Sequence, residues 1–123
     1  MREEIFAYAS AEYGTEPEYL WPKYPDCAVL RRGDSRKCYG VFMNVSRGKL
    51  GLRGEGAVDV LNVKIGDPIH RDLLLEKPGI LPPYHMAKTA LWVSLLLDGT
   101  LSIDEIFECL DISYNAASTG RKK

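Results

Sequence analysis

The chain has 123 residues, 46% of them hydrophobic and 27% charged, with a formal net charge of −1. This length and composition are typical of one globular domain and exclude a long disordered or fibrous chain. The longest nearly continuous apolar stretch, Leu91 to Leu97, is far shorter than the about 20 residues of a membrane-spanning helix, so we expect no membrane association.

The first segment and the cysteines indicate the compartment. MREEIFAYASAEYG lacks the basic region and the small-residue cleavage site of a secretory signal. Cys27, Cys38 and Cys109 form no C-x-x-C pair, which favours buried reduced thiols over zinc or dithiol chemistry. A Cys27–Cys38 bridge is conceivable, but a hairpin turning near residue 33 would put the two out of register. We expect a cytoplasmic protein.

The first predicted element is a helix over residues 2 to 13, which Gly14 ends. The next stretch, TEPEYLWPKYPD, contains three prolines and is predicted to be an extended, ordered connector. We expect its large apolar side chains to pack against the body of the domain, namely Tyr19, Leu20, Trp21 and Tyr24.

Three strands are predicted next. CAVLRRGDSRKCYGVFMNV has two runs rich in β-branched and aromatic residues around a Gly33-Asp34-Ser35 turn cluster, which is typical of a β-hairpin. The glycine-rich stretch SRGKLGLRGEG connects this hairpin to AVDVLNVKI, in which Leu61, Val63 and Ile65 alternate with polar residues. This alternation predicts the third strand.

The remaining chain predicts two helices and two strands. Asp67 followed by Pro68 is an N-cap and first-turn pair, and it begins a helix that ends before Pro78. ILPPYHM and LWVSLLL are predicted to be strands four and five. SIDE, at residues 102 to 105, matches the capping box and begins the last helix.

These elements predict a fold class. Their order, α-β-β-β-α-β-β-α, has short connections that favour antiparallel pairing. We therefore expect a two-layer α+β domain, an antiparallel sheet covered on one face by helices. Residues 1–115 would form this single domain, and the small and basic residues 116–123 would be a flexible tail. A monomer is favoured, although the pattern leaves the oligomeric state open.

Two motifs suggest chemistry, and both have a simpler interpretation. His85, beside Tyr84, Met86 and Lys88, can act as a general base or bind a metal with Asp98, but no suitably spaced partner completes a site. SRGKLGLRGEG offers amides and a lysine to a phosphate, but a strand pattern follows it where a P-loop requires a helix. We therefore expect no enzyme, no metal site and no cofactor.

The basic residues are concentrated in the middle of the chain. Residues 31 to 53 contain seven basic residues against one acidic residue, Asp34. In one interpretation they contact phosphates from two loops, and in the other they are solvated loop charges. The loops would lie at opposite ends of the second strand, roughly 25 Å apart at about 3.3 Å per residue.

Four stretches together resemble a known family. They are YGTEPEYLWPKYPDCAVLRRGDSRKCYGVFMNV, VDVLNVKIGDP, PGILPPYHMAKTALWVSLLLDG and the pair Ser113-Tyr114. They are similar to the MmcQ/YjbR-like proteins, small bacterial proteins described as carrying a "double-wing" DNA-binding motif. The resemblance implies a fold like that of secretion chaperones, and it implies DNA binding, for which residues 31 to 37 and 47 to 53 would be natural wings. Many relatives carry Asn and His where this chain has Ala87 and Leu91, so a polar role of those positions does not carry over.

We therefore expect a non-catalytic, YjbR-like DNA-binding protein that holds the phosphate backbone. The residues expected to contact DNA are all basic: Arg31, Arg32, Arg36, Lys37, Arg47, Lys49, Arg53 and Lys88. The alternative is a protein- or peptide-binding module with a secretion-chaperone-like fold, in which the open sheet or its edge receives an extended peptide. The aromatic connector from Tyr19 to Tyr24 supports this alternative.

Overall fold

The order of helices and strands follows the predicted one. The computed structural model describes residues 1–84 and 91–118. Within them the elements are α1 (Arg2–Tyr13), β1 (Ala28–Arg31), β2 (Cys38–Ser46), a short 3-10 helix (Arg47–Leu50), β3 (Ala57–Lys64), α2 (Pro68–Leu74), β4 (Ile80–Leu81), β5 (Trp92–Leu96) and α3 (Ile103–Ala116).

The strands form one sheet in the order β1-β2-β3-β5-β4, and every neighbouring pair is antiparallel. Phe42 of β2 pairs with Leu61 of β3, which pairs with Leu95 of β5, so three large side chains line up across one face. The predicted α+β class with an antiparallel sheet is confirmed.

Helices α1 and α3 cover this face and bury the main core. Ile5 and Ala9 of α1 and Ile106 and Leu110 of α3 are fully buried against the sheet residues. The helix ends follow from local sequence. Asp67 accepts hydrogen bonds from two amides at the start of α2, and a Ser102–Glu105 capping box begins α3, as predicted.

The opposite face of the sheet has a smaller apolar cluster. Successive residues of a strand point to opposite faces, so Val60 lies on the side opposite Leu61. The buried members of this second cluster are Val45, Val58, Val60 and Leu96. No α-helix in the described part of the chain belongs to this cluster, which is instead covered in part by Leu50 of the 3-10 helix, Leu52 and Tyr84.

Two local predictions differ from the structure. Of the predicted strand over residues 80 to 86, only Ile80–Leu81 is a strand among the described residues, because Pro82 and Pro83 cannot donate to a ladder; residues 85 and 86 lie outside the described ranges. At the other end, α3 continues to Ala116 and Ala117 is buried, with its carbonyl accepting a hydrogen bond from Ser35. The chain therefore packs as far as Ala117, past the predicted end of the domain at residue 115.

Candidate nucleic-acid interface and aromatic pocket

The predicted basic residues lie in two groups at opposite ends of β2, as their positions in the sequence implied. The last residue of β1 and the turn that follows it carry four of them, and the 3-10 helix with its following loop carries three. The nine residues of β2 separate the groups by roughly 30 Å at about 3.3 Å per residue. Lys88 lies outside the described residues.

Arg31 and Arg36 share one carboxylate. Their guanidinium groups lie 3.7 and 3.3 Å from the two carboxylate oxygens of Glu18. Glu18 is far from both in sequence and reaches them because it forms an isolated bridge with Val29 of β1. These two cations are therefore partly neutralised within the molecule.

Arg32 is built into the fold. It donates two 2.8 Å hydrogen bonds to Asp34 and one of 2.8 Å to the carbonyl oxygen of Tyr114. Its side chain is only 13% exposed, and the hydrogen bonds from Arg32 hold the pKa of the Asp34 carboxyl well below its ordinary value. Three of the five N–H donors of this guanidinium are therefore engaged within the protein.

Arg47 closes the loop after β2. Its Nε donates a 2.8 Å hydrogen bond to the carbonyl oxygen of Arg53, and its Nη1 lies 3.9 Å from Asp98. Its backbone amide donates to the carbonyl of Gly56, so both ends of the loop are fastened by one residue. Arg47 therefore holds the loop together through both its side chain and its backbone.

Three of the residues predicted to contact DNA have exposed side chains without a salt bridge to another described residue. Lys37, Lys49 and Arg53 are exposed, and none forms a salt bridge with another residue of ranges 1–84 and 91–118. Of the seven basic residues between positions 31 and 53, those that are exposed and form no such salt bridge are thus one lysine at one end of β2 and two cations at the other.

The aromatic connector faces outward, and the expectation that it packs on the domain body is wrong. Tyr19, Leu20, Trp21 and Tyr24 are 58%, 43%, 42% and 62% exposed. The backbone explains this exposure. The prolines restrict the backbone of the segment. Two successive turns follow, in which the amide of Tyr24 donates to the carbonyl of Trp21 and the amide of Cys27 donates to the carbonyl of Tyr24. Contiguous exposed apolar side chains of this size mark an interaction surface.

Trp21 and Tyr24 form one wall of a pocket of about 480 Å³. Met43 and Val45 of β2 form the wall across from the connector, on the sheet face opposite the helices. The other lining residues are Cys27, Asn44, Ser46, Lys49 and Tyr84. We call this cavity the aromatic pocket. Its volume lies within the about 300–1,000 Å³ typical of ligand sites.

A buried polar network holds the Tyr84 side of the pocket. The Tyr84 amide donates a 3.1 Å hydrogen bond to Ser94 Oγ, which donates to Oδ1 of Asn62. Nδ2 of Asn62 in turn donates to the carbonyl oxygen of Val41. Ser94 and Asn62 are fully buried, so their polar atoms need these partners. The network fixes the backbone at Tyr84 over strands β3 and β5.

The edge of β1 is occupied by the chain itself. The amide of Val29 donates a 2.9 Å hydrogen bond to the carbonyl of Glu18, and the amide of Glu18 donates one of 2.9 Å in return. Thr15 Oγ1 donates to the carbonyl of Arg31 further along. An added peptide strand would have to displace these bonds, so this edge does not offer a free ladder.

The described residues form no cluster of metal ligands. No group of three or more His, Cys, Asp or Glu side chains in residues 1–84 and 91–118 is arranged to hold a metal ion. The cysteines in these ranges are free, and burial raises the pKa of the Cys27 thiol, which keeps it protonated at neutral pH. The predicted catalytic candidate His85 lies outside the described residues. The longest described helix, α3, has 14 residues, too few to span a bilayer.

Comparison with known proteins decides the family. A sequence model described as YjbR matches residues 10–116. The chain belongs to the YjbR family. This YjbR chain is also 43% identical over 114 residues to a Bacillus subtilis (strain 168) protein named "Uncharacterized protein YyaQ", covering 93% of this chain and 95% of that one.

Solved structures show the same fold for this YjbR chain. A crystal structure of a Pseudomonas syringae protein superposes with a TM-score of 0.88 at 37% identity, covering 95% of this chain and 98% of that chain. A solution structure from the same organism gives a TM-score of 0.86 at 35% identity over 100% and 97% of the two chains. A Deinococcus radiodurans protein with a DUF419 domain gives 0.72 at 19% identity over 100% and 83%, which shows the fold alone.

Proposed function

We propose that this YjbR chain is a non-catalytic binding module that takes a segment of a protein partner in the aromatic pocket. The observation that carries the proposal is the exposure of Trp21 and Tyr24, which together line the pocket instead of packing into the core. Tryptophan and tyrosine are the residue types that most often dominate binding energy at protein interfaces, because they bury a large apolar area while retaining a polar atom.

The mode of capture follows from the edge and the face of the sheet. Strand addition at β1 is disfavoured because Glu18 already pairs with Val29. The face is available, since Met43 and Val45 of β2 line the pocket together with the connector. A partner segment would therefore bind by inserting a bulky apolar side chain between the connector and β2.

The test is selection of peptides from a random phage-displayed library on the purified protein. We expect enriched peptides to share one bulky apolar residue and to lose binding to the Trp21→Ala variant. Tyr19→Ala is the matched control, because Tyr19 is an exposed aromatic residue of the same connector that does not line the pocket. Equal binding to wild type and Trp21→Ala, or loss of binding in Tyr19→Ala alone, would overturn the proposal.

A second candidate function is binding of duplex DNA through its phosphates, the property that the family resemblance implies. The observation that favours it is that Lys37, Lys49 and Arg53 are exposed, unpaired with other described residues, and placed on loops at both ends of β2. Roughly 30 Å along the strand corresponds to about nine base-pair rises of about 3.4 Å, so both loops can reach one duplex.

This second candidate predicts a specific salt dependence. With three phosphate contacts, the logarithm of the affinity should fall with the logarithm of salt concentration at a slope of about −3. Changing all three residues to glutamine should flatten the slope, whereas Arg36→Gln should leave it unchanged because Glu18 already pairs with that guanidinium. Failure to retard a short duplex at low salt, or a slope near zero, would remove DNA from consideration.

A further inference from the structure

We infer that the aromatic pocket selects a partner segment in which a bulky apolar side chain stands next to a carboxylate, and that Lys49 supplies the opposing charge. The inference rests on the proposed function, because it names the chemistry of the segment that the pocket receives. It is carried by the charge of the lining, the state of Lys49 and the construction of the loop that holds it.

Among the described residues that line the aromatic pocket, Lys49 alone has a charged side chain. The protein as a whole has a net charge of −1, so the pocket departs in sign from the molecule around it. A low-polarity wall with a single cation at its margin complements an anion attached to an apolar body.

Lys49 is not committed to any other role in the described structure. It is exposed and forms no salt bridge with another described residue, unlike Arg31, Arg36 and Arg47. Its aliphatic stem can lie along the apolar wall while the ammonium group stays at the margin, where a carboxylate of the partner would meet it. Binding such a partner therefore breaks no existing ion pair.

The loop that carries Lys49 is fixed, so the position of the charge is defined. Lys49 lies in the 3-10 helix, which ends with the amide of Gly51 donating to Gly48 and that of Leu52 donating to Arg47. Leu50 and Leu52 pack against the second cluster. A lysine placed by such a loop loses less entropy on pairing than one on a mobile segment.

A second lysine belongs to the aromatic connector itself. Trp21 and Tyr24 also line a smaller hollow of about 400 Å³, whose remaining described lining residues are Pro22 and Lys23. Lys23 is exposed and forms no salt bridge with another residue in the described ranges. Each of the two hollows that Trp21 and Tyr24 line thus includes a lysine, which again favours an acidic segment.

The test uses capped tetrapeptides of matched shape, Gly-Asp-Phe-Gly and Gly-Asn-Phe-Gly, together with the reversed central pairs Phe-Asp and Phe-Asn. Binding is followed by amide shifts of the pocket residues in NMR titrations. In at least one order we expect the Asp peptide to bind about twofold to fivefold more tightly than its Asn counterpart, the range of a partly exposed ion pair. Raising the salt concentration should narrow this difference.

Two lysine variants make the assignment specific. Lys49→Gln should abolish the preference for Asp, so that the ratio of the Asp and Asn affinities falls to about one. Lys37→Gln is the matched control, because Lys37 is equally exposed and lies at the far end of β2. It should retain the full preference.

The outcomes that contradict the two proposals can be told apart. Equal binding of Asp and Asn peptides to the wild type, or a preference that survives in Lys49→Gln, overturns the inference and leaves the proposed function standing. If none of the four peptides produces saturable amide shifts at accessible concentrations, both the proposed function and the inference are contradicted. Shifts confined to residues away from Trp21 and Tyr24 count against both for the same reason.

Discussion

The guanidinium carbon of Arg32 lies 4.0 Å from the centre of the Tyr114 ring, while the same side chain donates a hydrogen bond to the Tyr114 carbonyl oxygen. One residue of the β1–β2 turn thereby contacts both the ring and the backbone of the last helical turns of α3. A cation near a helix C-terminus is also stabilised by the helix dipole. The basic turn thus also connects β1 and β2 to the C-terminal end of α3.

Replacing Arg32 with lysine should destabilise the domain although the charge is kept. Lysine cannot donate the paired hydrogen bonds to Asp34 or stack flat on Tyr114. We expect Arg32→Lys to lower the free energy of unfolding by about 1–3 kcal/mol, measured by urea denaturation. Arg36→Lys, at an exposed position, should change it by less than about 0.5 kcal/mol. Equal effects of the two substitutions would contradict a structural role for Arg32.

Glu18 pairs with two arginines, so removing its charge should make their guanidinium groups available to phosphates. In Glu18→Gln the backbone bridge to Val29 remains, but Arg31 and Arg36 lose their carboxylate. If duplex DNA is bound, the slope of log affinity against log salt should become steeper by about 1–2 units, measured by fluorescence anisotropy. Glu16→Gln is the control, because the Glu16 carboxylate accepts a hydrogen bond from Ser10 and pairs with no described arginine. An identical slope in all three proteins would show that neither arginine meets a phosphate.

Alkaline pH should destabilise the contact between α1 and α3. The Tyr8 hydroxyl donates to both carboxylate oxygens of Asp111, at 2.8 and 2.9 Å, and the Tyr13 hydroxyl donates to the same carboxylate. Burial and then the hydrogen bond to Asp111 raise the pKa of Tyr8 from 10.0 to about 12. A pKa raised in the folded state means that this contribution is complete below pH 10 and is lost as the pH rises toward 12.

The Tyr8→Phe variant tests this pH dependence. It lacks one of the groups that must ionise, so its free energy of unfolding should fall less steeply than that of the wild type between about pH 10 and pH 12. The measurement is a set of urea titrations across this range, with tyrosinate absorbance followed in parallel. Parallel curves for the two proteins would mean that Tyr8 does not couple folding to pH.

Two glycines with nearly the same backbone angles allow a matched comparison. Gly79 and Gly99 have φ of 93° and 95°, so alanine is strained at both. A Cβ on Gly79 would lie 3.0 Å from atoms of Leu101 and Thr100, whereas a Cβ on Gly99 would meet nothing within 4 Å. We expect Gly79→Ala to cost about 1–3 kcal/mol more than Gly99→Ala in thermal or urea unfolding. The same loss at both positions would show that Leu101 and Thr100 move aside.

The elements that could be predicted are those whose signals are local. The cap at Asp67 and the box formed by Ser102 and Glu105 act within three residues, so the sequence alone places the starts of α2 and α3. The alternation in β3 likewise depends only on neighbours. The fold class follows because short connections leave few ways to join these elements.

The site could not be predicted to the same extent because its contacts are distant in sequence. Glu18 meets Arg31 and Arg36 only after the connector bridges to β1, and Asp98 meets Arg47 only once the sheet has formed. Asp34, two residues from Arg32, is the exception, since this short spacing is visible in the sequence. Counting charges gives their sign along the chain but not their partners.

Whether the side chains of the connector point inward or outward could not be predicted from the sequence either. Prolines predict an extended path, but whether Trp21 and Tyr24 point inward depends on how the segment is fastened at Glu18 and at the turn before Cys27. The pocket then joins this segment to Met43 and to residues beyond it in the chain. Such a cavity has no signature in any single stretch.

The bridge between Glu18 and Val29 also affects the tendency of the protein to aggregate through its sheet edges. An exposed outer strand is a template on which identical chains stack into amyloid-like assemblies. Here the outer strand β1 is paired in part by the preceding segment, and β4 at the opposite margin is only two residues long. Because strands add less readily to an edge that is already paired or very short, we expect these features to disfavour polymerisation through the sheet margins.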